Sequence, residues 1–159
     1  MSPSLWQDHI MVMMNLSNIL QPYITSRGLG QLECGVKLAF DRNSDRVTDI
    51  IYLAQARVEQ LGGKELSIAC GPDLCVDVLW PRSFDHIHGN RFDLYADHGV
   101  ENYWTLDPGE GQRIFTAYKR NGKNFEKVLT GKQNQVVRVE PFPELDISLV
   151  NLWPPVRRG

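Results

Sequence analysis

Little in this chain points to a membrane or to an oxidising compartment. The start, Met1 to Trp6, carries no basic residue, and the longest early apolar run is only Ile10 to Met14. Neither a signal peptide nor a membrane span fits that pattern, and a cytoplasmic location is expected. Cysteine is scarce: Cys34, Cys70 and Cys75 form no CxxC pair and leave an odd thiol, which fits reduced structural cysteines rather than a disulfide framework. No repeat or low-complexity tract is present. Surplus charge is missing too, because 17 basic and 19 acidic residues leave a net charge of −2. Nothing global therefore marks a nucleic-acid binder. With 42% hydrophobic and 23% charged residues, the 159 residues can bury a proper core, and one domain over residues 1–159 is expected.

The local distribution of charge says more than the sum. Glu65 to Glu110 holds nine acidic residues against Arg82 and Arg91. Gln112 to Lys132 holds six basic residues (Arg113, Lys119, Arg120, Lys123, Lys127, Lys132) against Glu126 alone. Such a pairing suits an acidic metal site beside a phosphate-binding surface. It equally suits a solvated hairpin whose edge lysines discourage aggregation.

Apolar spacing predicts a helix from Ser4 to Ser26 through Trp6, Ile10, Met13, Met14, Leu16, Ile19 and Leu20, bent or ended near Pro22 and stopped by Gly28-Leu29-Gly30. Strands are predicted at Gln31–Phe40, Val47–Leu53, Leu74–Leu79 and Glu101–Leu106, with Gln55–Ala69 a connector whose Gly62-Gly63 argues against a long helix. A second helix runs from about His86 to His98 and is capped by Gly99. Arg113–Lys119 and Asn124–Leu129 form a hairpin around Asn121-Gly122, and Leu145–Leu152 is a short closing segment. The order predicts an α/β domain on a mixed sheet flanked by helices, with an antiparallel C-terminal extension.

Two of the strands each contain one stranded carboxylate: Val47-Thr48-Asp49-Ile50-Ile51 and Leu74-Cys75-Val76-Asp77-Val78-Leu79. Strands this apolar are buried on both faces, where an ionised aspartate is costly unless a cation meets it. On the helix that follows, Ile87, Arg91, Leu94, Tyr95 and His98 share one face, with Asn90, Asp93 and Asp97 elsewhere. Arg91 is thus a charge on an inward face, and Asp77 and Asp49 are its natural partners. The three residues describe a metal-dependent hydrolytic centre; the competing description is a plain buried ion pair, or an arginine that snorkels to water.

Gly71-Pro72-Asp73-Leu74-Cys75-Val76-Asp77-Val78-Leu79, followed by Tyr95-Ala96-Asp97-His98-Gly99-Val100-Glu101-Asn102-Tyr103-Trp104-Thr105-Leu106-Asp107-Pro108, resembles the Uma-two family of restriction-endonuclease-like proteins. Val47-Thr48-Asp49 and the opening helix with Gly28-Leu29-Gly30 extend the likeness over nearly the whole chain. The resemblance implies the PD-(D/E)xK nuclease fold, with Asp49 and Asp77 holding Mg²⁺ or Mn²⁺ together with a main-chain carbonyl beside Asp77. It implies DNA as substrate, and a two-fold dimer if both strands are cut. Leu79 occupies the position that holds the usual lysine, and Arg91 stands where the family carries its displaced lysine. Asp77 stands where the family has glutamate, and Trp80 where it has serine. Because arginine stays protonated, Arg91 would orient the phosphate and stabilise charge rather than take a proton. The other expectation, from a different class, is a catalytically silent nuclease fold that binds nucleic acid or a protein, with the aspartates paired to Arg91.

Weaker candidates have blander explanations. Asp73 is more simply a turn or cap residue than a further metal ligand. His86 and His88, beside Asp85, make an HxH spacing that surface histidines also produce. Met11, Met13 and Met14 read as core or dimer contacts, and Tyr103 and Trp104 as packing.

Overall fold

The computed structural model describes residues 3–38, 47–63, 71–79 and 84–156, with the backbone alone for residues 3, 4, 37 and 84–90. A long helix α1 (Pro3–Arg27) leads into β1 (Gly30–Lys37) and β2 (Val47–Ala54), then a short helix α2 (Gln55–Leu61). β3 (Leu74–Val78), α3 (Phe84–Asp97) and β4 (Asn102–Asp107) follow. β5 (Ile114–Asn121) and β6 (Asn124–Lys132) form the Asn-Gly hairpin, and β7 (Val136–Val139) with β8 (Phe142–Ser148) closes the chain.

β1 to β6 lie in sequence order in one six-stranded sheet, and β7 with β8 makes a separate two-stranded sheet. Among the described strands of this sheet only β3 and β4 pair in parallel; the other neighbours are antiparallel. A parallel pair needs a crossover, and α3 supplies it. Gly71 fastens the two ends of that crossover: its N–H donates to the His98 carbonyl at 2.9 Å. A Cβ there would stand 2.6 Å from the same oxygen, so only glycine fits. Gly99 ends α3, with the Val100 N–H on the Tyr95 carbonyl at 3.0 Å.

The two faces of the sheet are packed differently. On one, α1 and the β7–β8 sheet bury Val12, Leu16, Leu20 and Ile24 against Ile50, Val76, Trp104, Phe115 and Ile147. On the other, α3 sets Tyr95 against Ile51, Cys75 and Tyr103, with Phe92 and Tyr118 alongside. The sheet and its flanking helices match the expected class.

Several local expectations need correction. The α1 stripe that reaches the core is Val12, Leu16, Leu20 and Ile24, whereas Trp6 and Met14 are more than half exposed. Those four recur at i+4 spacing, and Leu16 and Leu20 among them belong to the expected set. Pro22 lies inside α1, which continues to Arg27. The closing segment is longer than expected, because Val136-Val137-Arg138-Val139 alternates weakly but covers the core as β7.

Candidate active site

β2 and β3 pair through Ile50↔Val76, Ile51↔Cys75 and Tyr52↔Leu74, and there the backbone ladder stops. The next residues along are Asp49 and Asp77, and their side chains take over from the peptides. The Val78 N–H donates to Asp49 Oδ2 at 2.8 Å, and the Asp49 N–H points at Asp77 Oδ1 from 3.5 Å. β2 also turns at this point. Residues two apart on a strand share a face, yet Ile50 joins the α1-side core while the Thr48 hydroxyl lies 2.8 Å from the Tyr95 hydroxyl on the α3 side. The β1–β2 register skips the same step, pairing Cys34 and Val36 but passing over Gly35, whose φ is +64°. A glycine makes that irregular step inexpensive.

The turn separates the surroundings of the two carboxylates. Asp49 faces α1, where His9 Nε2 lies 3.0 Å from its Oδ2; the side chains are 12% and 17% exposed. Asp77 is only 5% exposed and faces α3. Its Oδ2 takes three donors: Arg91 Nη1 at 2.7 Å, Tyr103 Oη at 3.0 Å and Tyr95 Oη at 3.1 Å. Arg91 Nη1 also donates to the Tyr95 hydroxyl at 3.2 Å. Tyr95 has one proton, and Asp77 takes it, so the Thr48 hydroxyl is the donor in its contact with Tyr95.

Electrostatically the Asp77 pocket is under strain from dehydration. Burial pushes the Asp77 carboxyl above the ordinary carboxylate range; Arg91 pulls it back, and neighbouring Asp49 adds to the rise. Burial alone would ease the proton from Arg91, but Asp77 and the tyrosines more than reverse this and hold it protonated. Burial, then Asp77, push Tyr95 and Tyr103 well above the usual phenol range, so both remain hydrogen-bond donors. Burial and then Asp77 do the same to the Cys75 thiol, which leaves it unreactive. Arg91 Nε is buried without a hydrogen-bond partner among the described residues.

Of the three residues singled out in the sequence, Asp77 and Arg91 are in contact, and Asp49 sits beside Asp77 but meets His9 rather than Arg91. His9 was not foreseen, although it lies three residues before Val12 and so extends the buried stripe of α1. Tyr103 packs as expected, and its hydroxyl also serves Asp77. Trp104 is buried in the α1-side core, with Nε1 donating to the Glu140 carbonyl at 3.1 Å. Asp73 is a corner residue: its carboxylate accepts the Ala54 N–H at 2.7 Å and Arg57 Nε at 3.2 Å. The side chains of Asp85, His86 and His88, and Trp80 and Cys70 altogether, lie outside the described residues. Met11 and Met14 are exposed, while Met13 packs on the core.

The basic hairpin sorts into engaged and available charges. Arg113 donates to the Pro154 carbonyl at 2.7 Å, and Arg120 pairs with Glu101. Lys119, Lys127 and Lys132 make no ion pair among the described residues. No described helix is long and apolar enough to cross a membrane.

Comparison with known proteins bears on the fold and the family. A crystal structure from Anabaena variabilis, described as a "putative nuclease belonging to DUF820", superposes with a TM-score of 0.70 at 17% identity, covering 92% of this chain and 80% of that one. At that identity the likeness establishes the fold. No curated protein gives a significant match. The profile of the Uma2 family, described as "Putative restriction endonuclease", matches residues 1–150. With nearly the whole length matched, this chain belongs to the Uma2 family.

Proposed function

We propose that the protein is a metal-dependent endonuclease that hydrolyses phosphodiester bonds in DNA, with Asp49 and Asp77 as metal ligands and Arg91 as the phosphate-binding residue. The observation that carries this is the opened ladder between β2 and β3. There each carboxylate reaches toward a backbone N–H of the other strand, and each keeps one oxygen clear of close donors among the described residues. Asp49 Oδ1 accepts no hydrogen bond among the described residues, and the only donor near Asp77 Oδ1 is 3.5 Å away, at the limit of a real bond. Two free carboxylate oxygens with a main-chain carbonyl beside Asp77 form a hard-donor set that suits Mg²⁺ or Mn²⁺. Mg²⁺ commonly keeps several waters and needs only one or two protein carboxylates. Among the described residues no three His, Cys, Asp or Glu side chains gather as a fuller cage.

When bound, such an ion supplies Lewis acidity that polarises the phosphate and eases deprotonation of the attacking water. The remaining work belongs to the chain. The Val78 N–H and His9 fix the Asp49 carboxylate, and Tyr95, Tyr103 and Arg91 fix that of Asp77. Arg91, always protonated, offers its positive charge to the scissile phosphate. A two-fold dimer would supply a second such centre for the other strand.

One observation favours the rival reading of a silent fold that binds a partner: Asp77 Oδ2 is already saturated by three donors. Calorimetric titration with Mn²⁺ separates the two. The nuclease reading expects saturable binding and a raised melting temperature, both lost in Asp49→Ala, together with metal-dependent nicking of plasmid DNA. Absence of binding to the wild-type protein would retire the metal centre and leave the ion pair as the purpose of the aspartates.

A further inference from the structure

The α3-facing side of the sheet is only half covered by the described residues. Beyond the aromatic cluster of Phe92, Tyr103 and Tyr118 it opens into a groove of about 480 Å³ across β4, β5 and β6. Strand register shows where the groove leads. Asp77 pairs with Thr105, Thr105 with Thr116, and Thr116 with Thr130. Residues paired in this way share a face. One straight row therefore runs from the candidate acid to the last strand of the sheet, and its three threonines line the groove.

Two lysines flank the far end of that row, Lys127 and Lys132. Simple alternation would not put both on this side, because Lys127 is an odd number of residues from Thr130. A β-bulge makes the difference. The register passes from Ala117↔Leu129 directly to Tyr118↔Lys127, which leaves Val128 unpaired and exposed. That extra residue turns Lys127 onto the groove face, the re-aiming for which bulges are used. Neither lysine has an ion-pair partner among the described residues, and the carboxylate that lines the groove, Asp107, instead caps its own turn through the Gly109 N–H at 3.0 Å.

We propose that one strand of a polynucleotide lies in this groove, its phosphates held by Lys127, Lys132 and the Thr130 hydroxyl, and its path ending at Asp77. The proposal rests on the nuclease reading and specifies its substrate as a single strand or a locally opened duplex. The two ammonium groups and the exposed Thr130 hydroxyl suit phosphate oxygens, whereas the buried Thr105 hydroxyl is already engaged by Tyr118. A recess set into a sheet suits a flexible strand, whereas duplex DNA, with a persistence length of about 50 nm, would bridge over it.

The test is fluorescence anisotropy with a labelled oligothymidylate and a labelled duplex of equal length, titrated across a salt series without divalent metal. The proteins are wild type, the double variant Lys127→Gln/Lys132→Gln, and Lys119→Gln, which lies on the opposite face two residues from the core residue Ala117. Expected are tighter binding of the single strand, a double variant at least tenfold weaker, and a salt slope smaller by about 1.4, from about 0.7 per phosphate contact. Lys119→Gln should stay within about twofold of wild type. Wild-type binding that the double variant retains would overturn the groove and leave the nuclease reading standing. Tighter binding of the duplex would overturn the choice of a single strand. A wild-type protein that binds neither probe would overturn the groove, while metal titration and plasmid nicking would judge the nuclease reading separately.

Discussion

The two faces of the central sheet are built on opposite principles. The α1 face is dry and apolar, a continuous layer from Leu16 through Val76 and Trp104 to Ile147. The α3 face is aromatic and polar, with Asp77, Arg91 and three hydroxyls buried among its rings. Hydrophobic contact needs only shape and volume, so the first face tolerates small adjustments at about 1 kcal/mol each. A buried charge must be matched donor by donor, and the loss of one partner exposes the full dehydration cost of the other. The first face keeps the chain folded, and the second spends part of that stability to hold a carboxylate out of water.

Acidity is the way to tell the faces apart. Trp104→Ala and Arg91→Ala should both cost about 3–5 kcal/mol at neutral pH, one by opening a cavity and one by stranding Asp77. Without Arg91 the Asp77 carboxyl rises further, so the folded state binds a proton more readily than the unfolded chain. The Arg91→Ala deficit should therefore shrink as pH falls toward about 4, while that of Trp104→Ala stays constant. Urea titrations across that range measure both, and parallel curves would show that the faces do not differ in this respect. A smaller effect is expected for Tyr95→Phe, about 1.5–3 kcal/mol, because the hydroxyl serves the Asp77 charge as well as Thr48. A cost below about 0.5 kcal/mol would mean that Tyr103 and Arg91 satisfy the carboxylate alone.

The smallest effect concerns the wild-type protein itself. With Asp77 raised above its unfolded value, near 3.9, its contribution is fully present below that pH and is lost as pH rises through the higher folded value. Asp77→Asn does not titrate, so the stability of wild type relative to the variant should fall with rising pH in the acid range and then level off. A relative rise over the same range would mean that Arg91, not burial, sets the affinity of Asp77 for its proton.

Much of this centre was legible in the sequence, and the reasons are specific. Asp49, Asp77 and Arg91 stood out because each is a charge where the local period demands an apolar residue, and burial of charge is costly enough to need a cause. The Asn-Gly hairpin and the Gly99 cap were legible because backbone conformation restricts the residues that fit. His9 was missed because the expected apolar set, although it held the buried Leu16 and Leu20, also took in the exposed Trp6 and Met14 and left out Val12, the residue from which the stripe extends back to His9. The pairing of Asp49 with His9 rather than Arg91 was out of reach for another reason. It depends on a half-turn of β2 opposite Gly35, and a strand pattern assumes that alternation never slips. The groove lysines were hidden in the same way, since one unpaired residue, Val128, decides which side Lys127 faces.

On the nuclease reading Asp49 would hold two posts at once, since its Oδ2 is also the acceptor for the peptide N–H of Val78. A lineage that lost catalysis would still keep an oxygen there to hold its neighbouring strand. Persistence of an acid at this position among relatives is therefore no record of an enzyme at work, and asparagine, which preserves the acceptor, is the substitution by which retirement would first become visible.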